Sequence, residues 1–357
     1  MAHTDDGRYV LITGGAGFVG TNLADRLLSQ GRPVMIYDNL SRPGVEHNLA
    51  WLKATHGSRV AVQVADVGNR AELARAVRGA AEVYHFAAQV AVTTSLTSPA
   101  HDFDVNLRGT FNLLEILRLM PHPPSLVYTS TNKVYGRLAG VRLRVDWTRF
   151  APRSRRLEAN GIGESQALDF CSPYGCSKGA ADQYVLDDAR SFQLPAAVFR
   201  MSCIYGPHQF GTEDQGWVAH FLIQALEDRP ITIYGDGRQV RDILFVDDLV
   251  DAMQRAQAGM PELSAHAFNI GGGPASSVSL LETIDVIAEL NGRRPDVRFA
   301  GWRVGDQKYY VSDTDAFRRR TGWAPSVGVV EGIRRLHAWL LRQRAVEPER
   351  LAEQVPT

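Results

Sequence analysis

The chain predicts a doubly wound α/β fold: a parallel sheet with helices on both faces and a smaller α/β lobe towards the C-terminus. Three observations carry this. Through the first 200 residues, short β-rich apolar runs alternate with helically spaced ones, a rhythm that calls for right-handed crossovers and parallel strands. The first run ends at Gly14-Gly15-Ala16-Gly17-Phe18-Val19-Gly20 and leads straight into a helix. After Gly206-Pro207 the elements shorten and become richer in glycine, as expected of a separate lobe.

Taken in order, Tyr9–Thr13 is the first strand, and Asn22–Leu28 has the apolar spacing of a helix that stops before Gly31. Pro33–Asp38, Val60–Asp66 and Glu82–Ala88 read as the next three strands, with helical segments between them. Pro124–Ser130 and Pro195–Arg200 extend the sheet, separated by a long helix over about Tyr174 to Arg190. Residues 1–200 then form the sheet domain with an insertion at 137–171, and 201–341 are mainly the second lobe. Residues 240–270 are expected to return to the first domain. Amphipathic stretches at Ser279–Leu290 and Val330–Leu341 close the lobe, and 342–357, charged and carrying two prolines, is expected to be a loose tail. The insertion carries Arg137, Arg142, Arg144, Arg149, Arg153, Arg155 and Arg156; a solvated loop is the favoured reading, a lid or partner surface the alternative.

Bulk properties remove several classes of function. Lys plus Arg equals Asp plus Glu at 39 each, so no net field exists to hold a polyanion, and neither nucleic acid nor a membrane surface is an expected partner. No basic start precedes an apolar run and no apolar stretch is long enough to span a bilayer, which predicts a cytoplasmic protein. Cys171, Cys176 and Cys203 have no paired-ligand spacing; reduced thiols and no metal are expected.

Gly14, Gly17 and Gly20 sit where a strand becomes a helix, so backbone can approach a pyrophosphate whose charge meets the helix's first N–H groups. The spacing is G-x-x-G-x-x-G. Asp38 ends the second strand, where a carboxylate accepts from both adenosine-ribose hydroxyls and repels a 2′-phosphate; this favours NAD, although nearby Arg42 keeps NADP open. Asp66, followed by Val67, is placed to pair with an adenine amino group or to serve as a turn residue.

Tyr174 and Lys178 lie four apart in a segment that should be helical, on one face about a turn apart. A free tyrosine has a pKa of about 10, and an adjacent ammonium should lower it enough for a base. Thr131 ends a sheet strand and is placed to bond the same substrate oxygen, since strand ends are where such sheets hold ligands.

These features resemble the extended short-chain dehydrogenase/reductase superfamily, in particular its nucleotide-sugar epimerases and dehydratases. The resemblance runs from about Tyr9 to Trp339. It is carried by the glycine run, Asp38, Asp66, His85-Phe86-Ala87-Ala88, Asn106, Thr131 with Tyr174 and Lys178, Arg200, Tyr205-Gly206-Pro207, the stretch Gly235–Asp242, and Arg303-Val304-Gly305-Asp306. It implies tightly held NAD, a nucleoside-diphosphate sugar as substrate and a homodimer formed through a four-helix contact. By resemblance the cofactor is held by Gly14, Gly17, Phe18, Val19, Gly20, Asp38, Asn39, Ser41, Arg42, Asp66, Val67, Ala87, Ala88, Gln89, Asn106, Tyr174 and Lys178. Thr131, Tyr174 and Lys178 are the candidate catalytic residues. Gln89, Thr94, Thr131, Asn132, Lys133, Cys203, Gln215, Trp217, Arg241 and Arg303 are the candidate substrate contacts, the two arginines on the pyrophosphate or else in structural ion pairs with nearby Asp242 and Asp306, and Gln89 and Thr94 facing the sugar or else capping their loop.

Within the superfamily, Ser130–Gly136, the long insertion, Leu168–Tyr184 and Asp214–Val218 look most like the CDP-tyvelose (CDP-paratose) 2-epimerases. Cys203 stands where many relatives carry Asn, so a contact usual in 4-epimerases does not carry over. Dehydratases of this kind place Asp-Glu directly after the threonine; here those positions are Asn132 and Lys133. The resemblance therefore implies epimerisation by transient oxidation at C2, with a 4-epimerase as the main alternative, then a 4,6-dehydratase. From another class, a redox-inactive NAD-binding regulator would keep the fold without the chemistry. Cys176, beside the reacting pair, is expected to be a small buried packing residue, and Trp217 either leans on the sugar or base or belongs to the lobe core.

Overall fold

The computed structural model describes residues 8–353. Its strands in chain order are β1 (Tyr9–Thr13), β2 (Val34–Asp38), β3 (Val60–Val64), β4 (Ala80–His85), β5 (Ser125–Thr131), β6 (Leu143–Asp146), β7 (Arg149–Pro152), β8 (Ala196–Met201), β9 (Cys203–Tyr205), β10 (Ile231–Tyr234), β11 (Val240–Phe245), β12 (Ala267–Ile270), β13 (Ser277–Ser279), β14 (Val297–Ala300) and β15 (Tyr309–Tyr310). Seven of them form one sheet in the order β12-β8-β5-β4-β1-β2-β3, and every pairing in it is parallel. This is the doubly wound class the sequence predicts. The order reverses at β1, flanked by β2 and β4, and the crevice beyond the strand ends at such a reversal is where ligands of this architecture bind.

Both faces are covered, which is why the strands read as nearly continuous apolar runs. One core packs Leu23 and Leu27 of helix Phe18–Ser29, Leu49 of Val45–His56 and Leu249 of Val246–Ala258 against Val10, Ile12 and Ile36. The other packs Leu73, Leu113 and Val185, from helices Arg70–Arg78, Gly109–Arg118 and Pro173–Ser191, against Leu11, Val83 and Tyr128. The lobe has its own core around Phe221, Ile233, Ile284 and Leu336. After β11 the chain crosses back through Val246–Ala258 to β12, which pairs with β8. Among the described residues no helix is long and apolar enough to cross a membrane.

Two expectations need correction. The 137–171 insertion is not a solvated loop. β6 and β7 form an antiparallel hairpin that the lobe holds: Phe150 N donates to Arg238 O (2.8 Å), and Arg149 reaches Glu282 through Nε (2.7 Å) and the Ser277 carbonyl through Nη2 (3.1 Å). Glu282 is also the capping-box residue of helix Leu280–Asn291, so one carboxylate serves both. The tail is also more ordered than expected. The last helix runs from Val329 to Glu353, and Arg344 ties it to helix Trp217–Leu226 by donating to Leu226 O (2.5 Å) and pairing with Glu227 (3.0 Å). Residues 354–357 lie outside the described residues.

Candidate functional site

The glycine turn is set by close backbone approach. Gly14 has φ +66°, and a Cβ there would lie 2.6 Å from Ala87 N; one on Gly20 would lie 2.6 Å from the Gly15 Cα. Neither position admits a side chain without moving the strand-to-helix turn. Gly17 caps helix Phe18–Ser29 and supplies no side-chain acceptor, so Phe18 and Val19 open a helix whose N-terminal donors are offered to an anion. At the end of β2, Asp38 accepts from Ala16 N (3.0 Å) on Oδ2 and from Leu40 N (2.8 Å) on Oδ1. Each oxygen retains a lone pair for a ribose hydroxyl. Burial pushes this carboxyl up, while those two N–H groups and Arg42 oppose the shift. A glycine cradle, an uncapped helix start and a fixed carboxylate fit a dinucleotide.

The neighbouring candidates brace one another. Asn39 Nδ2 donates to Asp66 Oδ2 (2.6 Å), Ser41 N donates to Asn39 Oδ1 (3.1 Å), and Asp66 Oδ1 accepts from Gly68 N (2.7 Å), as a turn residue does. Val67 is buried against helix Gly109–Arg118. Ala87 N donates to Thr13 Oγ1 (3.3 Å), and Ala88 is half-buried beside it. Asn106, in a π-helical turn over Asp104–Arg108, accepts from Gln89 N (2.9 Å) and donates to Gln89 O (3.0 Å). Gln89 turns its own amide onto Ala91 O (2.8 Å) and Asp102 (3.1 Å), a loop-capping role; Thr94 is exposed on the short helix Val92–Thr97.

Thr131, Tyr174 and Lys178 converge at the end of β5. Ser172 starts the helix that carries two of them: its Oγ accepts from Gly175 N (3.0 Å), and Pro173 occupies the first turn. Tyr174 therefore falls in the opening turn, with the Thr131 hydroxyl near enough to its phenol to oppose the upward shift. Lys178 Nζ donates to Thr129 O (2.5 Å) and lies 4.4 Å from the centre of the Tyr128 ring. All three are buried. In the protein alone, burial overrides the expected ammonium effect: Tyr174 is pushed up to about 12, the Thr131 hydroxyl opposing, and Lys178 down to about 7. The physical reason is that both groups leave water together, which disfavours phenolate and ammonium alike.

On the lobe side, Lys133 Nζ and Arg241 Nη2 share Asp306 Oδ1, at 3.9 and 2.6 Å. Arg241 also donates to its neighbour's carbonyl, Val240 O (2.8 Å), and is only 6% exposed. Asp242 is not its partner; that carboxylate accepts from Ser202 Oγ (2.5 Å) and Gly273 N (3.1 Å). Arg303 pairs with Asp214 (3.0 Å) and covers the Tyr234 ring at 3.8 Å. Gln215, next in sequence after Asp214, accepts from Arg42, joining the lobe to the loop after β2. Trp217 donates to Cys203 Sγ (3.4 Å) and packs edge-on against Phe221, while burial pushes the Cys203 thiol up. Asn132 is buried beside Thr131. Cys176 departs from expectation: it is exposed, because its position in the helix's first turn faces away from the core.

Sequence reasoning passed over Asp102. It is fully buried and touches Gln89, Asn106 and Ser177. The available signal was its i,i+4 spacing to Asn106.

Comparison with known proteins agrees with this geometry. Residues 10–271 match the family described as NAD dependent epimerase/dehydratase. The chain is 41% identical to a CDP-paratose 2-epimerase of Salmonella typhi over 92% of its length and 98% of that protein's. It is 30% identical to a dTDP-glucose 4,6-dehydratase of Neisseria gonorrhoeae, over 95% and 97%. Among solved structures, it resembles a UDP-glucose 4-epimerase of Thermotoga maritima with UDP-glucose (TM-score 0.80, 27% identity, 94% of this chain and 99% of that one). A Thermus thermophilus UDP-glucose 4-epimerase in complex with NAD is similar too (TM-score 0.77, 30% identity, 93% and 99%). The Rossmann sheet and the glycine–carboxylate cradle thus define an NAD-dependent enzyme of the extended short-chain dehydrogenase/reductase type. The chain belongs to the NAD-dependent epimerase/dehydratase family, and it is an isomerase.

Proposed function

We propose that the protein epimerises a CDP-linked hexose at C2, of the CDP-paratose/CDP-tyvelose or CDP-glucose/CDP-mannose kind. The reading is supported by the likeness to the Salmonella typhi 2-epimerase and by the two residues next to Thr131. Asn132 and Lys133 stand there, so no carboxylate pair adjoins the reacting groups to drive an elimination.

The cradle at Gly14, Gly17 and Gly20, the Asp38 carboxylate and Lys178 would hold NAD, which when bound supplies the acceptor for a hydride from the sugar carbon and returns it. Tyr174 takes the proton of the C2 hydroxyl, and the Thr131 hydroxyl, which faces the phenol, holds that oxygen. An ammonium at Lys178 favours the phenolate, and the low polarity around the pair strengthens that attraction. The 2-keto sugar then reorients and is reduced on its other face, with Tyr174 returning the proton. Arg241 and Arg303 would carry the diphosphate, with Lys133 beside Arg241 on the shared Asp306 carboxylate.

The test is incubation with CDP-, UDP-, GDP- and dTDP-hexoses and analysis of products by NMR. A C2-inverted CDP-sugar that keeps a C2 deuterium, with a primary isotope effect, is expected. Inversion at C4 would make the protein a 4-epimerase, a 4-keto-6-deoxy product a dehydratase, and label washout without an isotope effect would replace hydride transfer by enolisation.

The proposed assembly is a homodimer. Phe103, Phe111, Leu119, Tyr184 and Phe192 are exposed on or beside the helices between Pro99 and Ser191, an apolar surface suited to a second copy. Light scattering should give twice 39.4 kDa.

A further inference from the structure

Asp102, in the short helix Pro99–Phe103, has no exposed surface. Its Oδ2 accepts from Ser177 Oγ at 2.5 Å, and its Oδ1 accepts from Asn106 Nδ2 and Gln89 Nε2, each at 3.1 Å. Among the described residues every one of these donors is neutral. A buried carboxylate normally has a cation or shifts to its neutral form, because a lone charge in a low dielectric is costly. Here the cation is one residue beyond Ser177. Lys178 sits on the same helix: burial pushes the Asp102 carboxyl up and the Lys178 ammonium down, and the charge of each opposes the shift of the other.

The other charged or titratable groups around the pair do not replace Asp102. Asp182, a turn further along the helix, supports the Lys178 charge more strongly than Asp102 does, but it gives both carboxylate oxygens to Arg200 at 2.9 Å each and has no bond to Ser177. His85, from β4, is fully buried between Thr13 and Thr110 and is held neutral, pushed down to about 3. Tyr128, from β5, presents its ring to Lys178, and Tyr174 has the Thr131 hydroxyl beside its phenol. His101, beside Asp102, supports the carboxylate but is exposed to solvent. Ser177 also lies 3.2 Å from the Tyr174 carbonyl, so the carboxylate grips the helix between the two reacting side chains.

We propose that Asp102 is a positioning residue for the Tyr174–Lys178 pair: it seats Ser177 between them and adds its negative charge to that of Asp182 beside the Lys178 ammonium. This rests on those two side chains working the reaction, as proposed above. The same charge opposes a phenolate on Tyr174, so the benefit runs through Lys178.

The experiment titrates Lys178 directly in the NAD-loaded protein, through the 13C shift of its ε-carbon, assigned by its loss in Lys178→Arg. No sugar is needed, so the outcome is independent of which substrate is turned over. Asp102→Asn should move the Lys178 midpoint down by about one pH unit, the lower end of the usual effect of a nearby opposite charge. Asp102→Glu should restore it. Ser177→Ala, which removes the hydrogen bond and keeps the charge, should leave the midpoint in place while lowering turnover. With the substrate identified, the alkaline limb of turnover should move with the midpoint in Asp102→Asn. An unmoved midpoint in Asp102→Asn overturns the proposal. So does a midpoint that drops by a full unit in Ser177→Ala, and that arm remains decisive should Asp102→Asn not fold.

Discussion

The floor of the site and its lobe wall are built on opposite principles. On the floor, Thr131, Tyr174 and Lys178 are buried and set against a hydroxyl, a carbonyl and a ring, with the counter-charge one side chain further out. On the wall, Arg241 and Arg303 are already in ion pairs with Asp306 and Asp214. In the proposed reading the floor carries the chemistry and is sensitive to proton equilibria; the wall is neutralised internally, so the proposed diphosphate would have to share or displace a carboxylate. Damage to the floor should appear in turnover, and damage to the wall in substrate affinity.

The largest effect should come from the floor. Tyr174→Phe should lower kcat by about 10³-fold or more, in line with loss of a positioned acid–base group, while NAD content measured on the purified protein stays intact. Unaffected function would instead point to a regulatory NAD sensor. On the wall, Arg241→Lys should raise KM roughly 10-fold with kcat within about 3-fold, because a point charge cannot reproduce a guanidinium fork. A fall in kcat equal to the rise in KM would erase the contrast between the two regions.

Acid should act through the floor's supporting layer. His85 titrates near 6.5 when unfolded and is pushed down to about 3 when folded. Its contribution is therefore fully present above about pH 6.5 and is lost as pH falls through that window towards 3. At about pH 5 the loss should be about 2 kcal/mol, read as a lower denaturant midpoint, and His85→Gln should flatten that dependence. Smallest is Ser172→Ala, which removes the cap of the helix bearing Tyr174 and should cost about 1 kcal/mol in the same measurement.

The strands, the glycine turn and the convergence of the three candidate catalytic side chains were legible in the sequence because each is a local signal: periodicity, glycine spacing at a strand-to-helix junction, a strand end and the four-residue step from Tyr174 to Lys178. What escaped depends on contacts distant in sequence. The β6–β7 hairpin exists because Arg149 finds Glu282, and the last helix continues because Arg344 finds Leu226 and Glu227. The expected lowering of Tyr174 failed for a similar reason: adjacency to Lys178 was visible in the sequence, but the burial that outweighs it was not. Asp102 read as an ordinary helical acid for want of its partners.

The return of the chain to β12 has a consequence for synthesis. Until residue 270 has left the ribosome, β8 is an open edge of a six-stranded sheet, apolar on both faces, with its hydrogen-bonding groups unpaired on one side. The nascent chain must make β9, β10 and β11 before it can close that edge. Vectorial folding thus leaves a sticky intermediate for some seventy residues of translation, between Met201 and Ile270, a window in which chaperone capture or a slowed ribosome would govern yield.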